Sequence, residues 1–510
     1  MTEGKIVGFI DVGTNSIHVL VSKFFPDSLG TPIFHDKESV RLGQNLFSQG
    51  FIDQETINKT KLVVGHFVRV AQDMGAEEIL AYATCAAREA FNRDKILDAV
   101  SESGIDLKII SGKEEARLVG LGVFGPYGPT DRCVVIDLGG GSTEVNLTKG
   151  NEVLFLDSLK AGSVRFSYGL GIDQHDPVSK SDYDLILKEV ERISKNTAKE
   201  LNEIGFDRAM GSSGTIINLA EMCAARRDGD SSYMTKKELS QLMRDLCEMT
   251  EGERRNVPKM NPGRSDIIIG GGAIAEQLMD SFEIEKIFIS DQGLREGMQV
   301  DYLLGRGHKE FNLRNSSILT LARRCGSNET HSTQVRMLAL QFFDGLKGAG
   351  LHDMDDDIKE ILGYAAILHD IGEFISYNGH NQHTYTIITN SNMPGFTSDE
   401  MEDMALMAKF HHKRFPSSNN KFLRPLNKNR AKNVRMCALM LRMADVLDRH
   451  RSSPVDDMSG HLTKNNVIIE LTSKEDLNME VWKLIELSEA FKDVFGLNLK
   501  ICASGWGDSI

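Results

Sequence analysis

A chain of 510 residues is longer than one hydrophobic core usually organises, which excludes a single small domain and predicts several. A net charge of −14 argues against general nucleic-acid or anionic-membrane affinity, although a local basic surface could override the average. Seven scattered cysteines, never in C-x-x-C spacing, indicate neither a disulfide framework nor a zinc ribbon and fit a reducing cytoplasm.

The N-terminal MTEGKIVGFI enters a strand almost at once, with no basic and apolar leader pattern, and no run of about eighteen apolar residues occurs anywhere. From residue 5 to about 300, β-like runs at 6–10, 79–83, 107–110, 134–136 and 287–290 alternate with helical stretches such as 57–74 and 183–204, an α/β pattern. Within it, FIDVGTNSIHV at 9–19 and VIDLGGGSTEV at 135–145 share one arrangement: an apolar run, then D-x-G-x-x-S, carried by Asp11, Gly13 and Ser16 and by Asp137, Gly139 and Ser142. A glycine costs strand stability of roughly 0.5–1 kcal/mol relative to alanine, so three in a row at 139–141 imply a ligand held close to the backbone. One such turn could be a plain hairpin. Two equivalent ones predict a duplicated domain whose halves face each other across a cleft, each offering a nest of N–H groups. The loop GPYGPTDR at 125–132 is the expected junction between the halves.

Beyond about residue 305 the strand signal fades, and 316–346, 356–369, 398–410 and 431–447 carry apolar residues at three- and four-residue intervals, which predicts a separate all-helical domain. After Pro454, NNVIIEL and GLNLKICA read as strands around a helical 478–495, too short to bury much alone. The predicted domains are 1–128, 129–304, 305–454 and 455–510.

The ordered set FIDVGTNSIHVLV, IISGKEEARLVGLGV, VIDLGGGSTEV, MGSSGTIINLA and ISDQGLREGM closely resembles the motifs of the exopolyphosphatase/guanosine pentaphosphate phosphohydrolase (Ppx/GppA) family. The resemblance implies a duplicated actin-like two-domain α/β core of the sugar kinase/Hsp70 superfamily. The helical part resembles the HD-type all-α domain of longer members, and the tail their small α+β C-terminal domain.

Removing a terminal phosphate from a polyanion requires holding phosphates, neutralising charge and positioning a water. The backbone of Gly13, Thr14, Asn15 and Ser16 and of Gly139, Gly140, Gly141 and Ser142 would cradle phosphate oxygens, helped by the two serine hydroxyls. Asp137 and Glu144 are hard oxygen donors suited to Mg²⁺. SGKEEARL offers Glu114 and Glu115; burial that raised a carboxylate pKa would suit a general base, and the residues alone do not choose between them. The resemblance assigns the role to Glu115. It also matches Arg88 to a phosphate contact, for which a planar guanidinium is apt. Ser213 and Gly214 in GSSGTI are secondary phosphate contacts, and IIIGGGAIAE at 267–276 lies where nucleotide-using relatives hold a nucleoside, though helix packing explains its glycines equally well.

In the helical part His331, His369, Asp370, His383, His411 and Asp445 fall in the order H…HD…H…H…D, which predicts a divalent metal site of HD type; His380 and His412 are neighbours without an assigned role. No acid lies between Asp403 and Asp445, whereas ten basic residues do: Lys409, Lys413, Arg414, Lys421, Arg424, Lys428, Arg430, Lys432, Arg435 and Arg442. Long polyphosphate would release counterions on such a surface. Few aromatics are interleaved, which weakens a base-stacking, nucleic-acid alternative.

The expected activity is Mg²⁺-assisted exopolyphosphatase hydrolysis that releases orthophosphate from chain ends. Its rival is removal of the 5′-terminal phosphate of guanosine pentaphosphate in the same cleft. A phosphate- or nucleotide-sensing regulator with a second phosphohydrolase site in the HD-type domain is a reading of another class. The resemblance also allows a homodimer.

Overall fold

The computed structural model describes residues 4–25, 30–125, 128–129, 131–150, 152–305, 313–391, 393 and 395–503. The chain divides into two compact units, Met1–Leu313 and Arg314–Ile510. Parts of two expected junctions and of the expected C-terminal domain lie outside the described residues: 126, 127 and 130 in the 125–132 loop, 306–312 after the α/β part, and 504–510 at the tail.

The first unit contains two sheets. The first is built from β1 (Lys5–Val12), β2 (Ser16–Phe24), β3 (Thr31–Ser39), β4 (Glu78–Ala83) and β5 (Leu107–Ile109), in the order β3-β2-β1-β4-β5. The second is built from β6 (Cys133–Leu138), β7 (Thr143–Lys149), β8 (Glu152–Leu159), β9 (Arg208–Ser212), β10 (Tyr233–Thr235) and β11 (Lys286–Ile289), in the order β10-β11-β9-β6-β7-β8. In both, the first strand pairs antiparallel with the next and parallel with a strand reached through a helix. Val7, Phe9, Ile10 and Val12 on β1, and Val134, Val135, Ile136 and Leu138 on β6, are all buried, so both faces of each strand are covered. That is why these strands read as apolar runs rather than as alternation. The duplication expected from the repeated D-x-G-x-x-S is therefore present in the topology.

Each side of the 128/129 cut has its own apolar core, one drawn from residues 10–107 and the other from residues 134–287, and a helix crosses from each side to the other. The helix Gly112–Phe124 packs on β7 and β8 of the second sheet, while the helix Leu294–Gly305 returns to β1, where Met298 and Leu303 join Val7, Phe9, Leu20 and Phe24. These two helices cross in backbone contact: a Cβ on Gly297 would lie 1.8 Å from the Leu118 carbonyl oxygen, and one on Gly122 would lie 2.0 Å from that of Gly293. Each lobe thus lends one helix to the other.

In the second unit the helices are Leu313–Arg324, Glu329–Gly348, Asp356–Leu368, His380–Asn390, Ser398–Phe410 and Lys428–Leu447. The expected helix at 316–346 is two helices, because Gly326 takes a left-handed φ of 66° and the Asn328 side chain caps the second by accepting from His331 N–H. The expected 478–495 helix is likewise two, Asn478–Ile485 and Ser488–Phe495, with Leu487 N–H turning back to Leu484 O. β12 (Asp457–Leu462), β13 (Asn466–Thr472) and β14 (Asn498–Ala503) form one small sheet. Val467, Ile469, Leu484, Phe491 and Ile501 share a single apolar cluster with Leu338, Leu362 and Leu439, so 455–503 has no core separate from the helices before it. Among the described residues no helix is long and apolar enough to cross a membrane.

Candidate active site

The two hairpin turns of the first unit meet tip to tip. Each is closed by the same bond, Gly13 N–H to Ser16 O at 3.1 Å and Gly139 N–H to Ser142 O at 3.0 Å. None of Gly13, Gly139, Gly140 and Gly141 has a positive φ. Their glycines answer to proximity instead: a Cβ on Gly140 would lie 3.2 Å from Thr14 Cβ, and one on Gly141 would lie 2.7 Å from both Thr14 Oγ1 and Cys85 Sγ. The carbonyls are engaged on one side of each turn. Thr14 O accepts from Gly43 N–H, Asn15 O from Arg41 N–H, Gly139 O from Ser163 N–H, Gly140 O from Val164 N–H, and Gly141 O from Arg165 Nε. Because a trans peptide directs C=O and N–H oppositely, the N–H groups of Asn15, Ser16 and Gly140–Ser142 face away from those partners. These residues line a cavity of about 300 Å³.

Carboxylates crowd this cavity: Asp11, Glu115, Asp137, Asp291 and Glu296 line it, whereas Glu144, next to Asp137 in the hairpin, is not among the lining residues. Across the second hairpin Asp137 is paired with Glu144; at the equivalent positions of the first, Asp11 is paired with His18. Glu115, in the first turn of the helix Gly112–Phe124, joins them and is buried, as is Glu144. Burial pushes Asp11 up to about 7, Asp137 to about 6 and Glu144 to about 7, with Arg295 opposing the shift at Asp11, the Ser212 hydroxyl opposing it at Asp137 and the Asp137 charge adding to it at Glu144. Glu115 is raised well above the carboxylate range by burial and then by Glu144, against the pull of Arg88. Asp11 Oδ1 and Ser16 Oγ are buried without a hydrogen-bond partner. Hard oxygen donors that repel one another, with one oxygen left unsatisfied, fit a divalent cation such as Mg²⁺.

The structure separates the two glutamates that the sequence left open. Glu114 is held by Arg117 at 2.7 Å, and Arg117 also binds Asp301 at 2.7 Å, so Glu114 belongs to a surface ion network that holds it below its usual range. Only Glu115 faces the cleft. Arg88, expected at a phosphate, uses Nη1 on Glu115 Oε2 at 3.1 Å and on Ile110 O at 2.8 Å. Glu144 Oε1 accepts from Ser158 Oγ at 2.8 Å.

Ser213 and Gly214 line the cleft as expected, Ser213 with a strained φ of 78° and its hydroxyl donated to Leu138 O. Gly214 makes room for a group that sequence reading missed: its Cβ would lie 2.1 Å from Arg264 Nη2, while Arg264 Nη1 donates to Thr215 Oγ1 at 3.1 Å. Lys37, Arg295 and His18 also line the cavity, and burial, reinforced by Arg295, Lys37 and Arg264, keeps the His18 imidazole neutral. Arg295 lies inside the motif ISDQGLREGM; Lys37 and Arg264 had no local signal. The glycines of IIIGGGAIAE are packing residues: added Cβ atoms at 270, 271 and 272 would strike Ser167, Thr215 and Met243.

In the second unit His331, His369, Asp370, His411 and Asp445 come together, but His383 does not join them. Its expected place is taken by His380, whose Nε2 lies 3.4 Å from Asp370 Oδ1. His380 opens the helix His380–Asn390, after Gly379 with its left-handed φ of 83°, and is buried, whereas His383 sits one turn on and is only half-buried. The basic run is not a free stripe. Arg430 is bound by Asp399, Glu402 and Asp403, Arg435 binds Asp493, and Lys409 donates to Gln382.

Residues 24–306 match the Ppx/GppA phosphatase family, and residues 313–488 match domain III of the same family. The chain belongs to the Ppx/GppA phosphatase family. It is accordingly a hydrolase of phosphoanhydride bonds. Among its relatives is a guanosine-5'-triphosphate,3'-diphosphate pyrophosphatase of Aeromonas hydrophila subsp. hydrophila, 28% identical over 89% of this chain and 89% of the relative. Another of the same name, from Photobacterium profundum, is 24% identical over 91% of this chain and 90% of its own. The solved Ppx/GppA family member of Aquifex aeolicus superposes with a TM-score of 0.51 at 25% identity, covering 60% of this chain and 99% of that one. The actin-like architecture of the first unit is that of the family.

Proposed function

We propose that this Ppx/GppA protein is an exopolyphosphatase that hydrolyses the terminal phosphoanhydride bond of inorganic polyphosphate with Mg²⁺. The observation that carries this reading is the lining of the cleft: carboxylates and amide-bearing turns together with Lys37, Arg264 and Arg295, and, among the described lining residues, no Phe, Tyr or Trp to stack a base.

Mg²⁺ held by Asp137 and Glu144, with Asp11 beside them, would supply positive charge to the phosphoryl oxygens. The chain's own residues do the rest. The N–H groups and hydroxyls of the two turns hold the terminal phosphate, and Arg264, Arg295 and Lys37 neutralise the phosphates that follow it. Glu115 accepts a proton from water as its oxygen attacks phosphorus. The bond to the bridging oxygen breaks, orthophosphate leaves, and the shortened chain keeps the bridging oxygen. Arg88 favours the ionised form of Glu115 against the opposing pull of burial and Glu144.

Guanosine pentaphosphate is the second reading, favoured by the relatives named for that activity, which align along about nine-tenths of the chain. Phosphate release with Mg²⁺ from long polyphosphate, tripolyphosphate and guanosine pentaphosphate distinguishes the two. Higher kcat/KM on long polyphosphate, lost in Glu115→Gln, is the expected result. A preference of tenfold or more for the nucleotide would replace the first reading with the second, and full activity in Glu115→Gln would remove both.

A further inference from the structure

We propose that Arg41 and Arg165 are a reciprocal pair of positioning residues for the hydrolytic step. Each supports the hairpin turn of its own lobe and ties that lobe to a carboxylate of the other, so that the two turns close on a terminal phosphate only while both ties are made. The inference rests on the reading of the cleft as the site of hydrolysis.

The two arginines stand at matching places in the duplicated topology. Arg41 follows β3, the third strand of the antiparallel run in the first sheet, and Arg165 follows β8, the third strand of that run in the second. The Arg41 N–H donates to Asn15 O at 2.9 Å and the Arg165 N–H to Gly140 O at 3.0 Å, each on the turn of its own lobe. Each side chain then crosses to the other lobe. Arg41 Nη1 reaches Asp266 Oδ2 at 2.7 Å and its Nη2 reaches Oδ1 at 3.4 Å, a two-pronged bond to the segment that carries Arg264. Arg165 Nη2 reaches Glu89 Oε2 at 2.8 Å and Cys85 Sγ at 3.3 Å, and its guanidinium lies 4.2 Å from the centre of the Phe47 ring. Asp266 stands just before the helix Ile268–Ser281 of the second lobe's core, whereas Glu89 ends the helix Cys85–Glu89, which packs in the first.

The two ties are built differently and are joined. Arg41 holds its turn through the backbone, at a left-handed φ of 60° that a residue with a Cβ keeps only where its neighbours fix it, and its side chain serves Asp266 alone. Arg165 also donates from Nε to Gly141 O at 2.7 Å, so one planar fork connects the second turn to the opposite lobe. The short helix Ser163–Tyr168 links them: it carries Arg165 and, three residues on, Tyr168, whose hydroxyl donates to Asp266 Oδ2 at 2.6 Å. A misplacement of about 1 Å at a reacting centre can cost roughly a hundredfold in rate, so loss of a tie should fall on kcat rather than on KM.

The test measures phosphate release with Mg²⁺ from tripolyphosphate and long polyphosphate by the full chain, well below the Tm of every variant; guanosine pentaphosphate takes their place if the parent prefers it. Arg41→Met and Arg165→Met are each expected to lower kcat at least about tenfold, by the same factor on both polymers, with KM changed less than about threefold. Arg41→Lys should regain most of the loss, because an ammonium can still reach Asp266. Arg165→Lys should not, because a single ammonium cannot span Gly141 O and Glu89. Asp266→Asn should lower kcat in the parent but little further in Arg41→Met, as for two halves of one tie. If Arg165→Met fails to fold by circular dichroism, Glu89→Gln, which leaves Arg165 on its own turn, replaces it. Unchanged kcat in the arginine variants beside an inactive Glu115→Gln overturns the ties alone, as does a loss confined to KM or to Tm. Full activity in Glu115→Gln removes the reading of the cleft and the ties with it.

Discussion

Arg88 donates to Glu115 across 3.1 Å, joining the short helix Cys85–Glu89 to the first turn of the helix Gly112–Phe124. Burial favours the protonated form of Glu115 and the guanidinium favours the ionised one, so the pair decides whether a proton acceptor is available. Replacing Arg88 by Met removes the only one of these forces that lowers the pKa through a positive charge. The acidic limb of the kcat/KM profile should move to higher pH by about one unit or more, with most of the loss regained in alkaline buffer. A profile shifted to lower pH, or unchanged, would contradict this account.

Glu114 supplies the control one residue away. Its carboxylate is committed to Arg117, and Arg117 to Asp301. Glu114→Gln should leave kcat within about twofold and cost only about 0–1 kcal/mol in urea unfolding, as for an exposed ion pair. Glu115→Gln should lower kcat by at least about a hundredfold, as for loss of a general base, while leaving the fold intact.

The crowded carboxylates make stability depend on pH and metal together. Asp11, Asp137 and Glu144 have folded-state values of about 7, 6 and 7, above their ordinary 3.8, 3.8 and 4.5. Within that window the folded state binds more protons than the unfolded chain, so metal-free stability should fall as pH rises from about 4 to about 7. Mg²⁺ should raise the calorimetric Tm more at pH 8, where these carboxylates are ionised, than at pH 5, where protons compete for them; an equal rise at both would argue against the metal lying among these groups.

Gly297→Ala tests the helix crossing. The added methyl would sit 1.8 Å from a backbone oxygen, where no rotamer change relieves it, so the helices Gly112–Phe124 and Leu294–Gly305 must separate. A loss of about 1–3 kcal/mol is expected, the usual cost of overpacking, measured by urea denaturation.

Arg264→Ala should raise KM for a polyphosphate substrate by about tenfold or more and weaken its salt dependence, with a smaller change in kcat, because the guanidinium lines the cleft and is bound to Thr215 rather than to Glu115. A pure kcat effect would assign Arg264 to the chemical step instead.

What could be read from the sequence was local. The two D-x-G-x-x-S turns announced themselves because each lies in one continuous stretch, and their topology matches. The Arg264 and Lys37 side chains reach the cleft from separate elements, and nothing in NPGRSDI or FHDKES marks them. Glu114 and Glu115 could not be separated because what separates them, Asp301, is 184 positions from Arg117. His380 and His383 share a helix, and which one turns inward is decided by the αL residue before it and by Thr384, whose hydroxyl binds His369 O. Helical periodicity found the stretch at 316–346 but missed its break, since Gly326 and Asn328 interrupt the chain without disturbing the apolar spacing.

The two hairpins share a scaffold but not a chemistry: where the second pairs Asp137 with Glu144, the first pairs Asp11 with His18. A linear phosphate polymer is the same read from either end, so it carries no instruction about orientation. The mismatch supplies one. Only one hairpin offers the second acid, so on the proposed polyphosphate reading a symmetric substrate lying between near-identical jaws would acquire a reacting end and a trailing end from the protein alone.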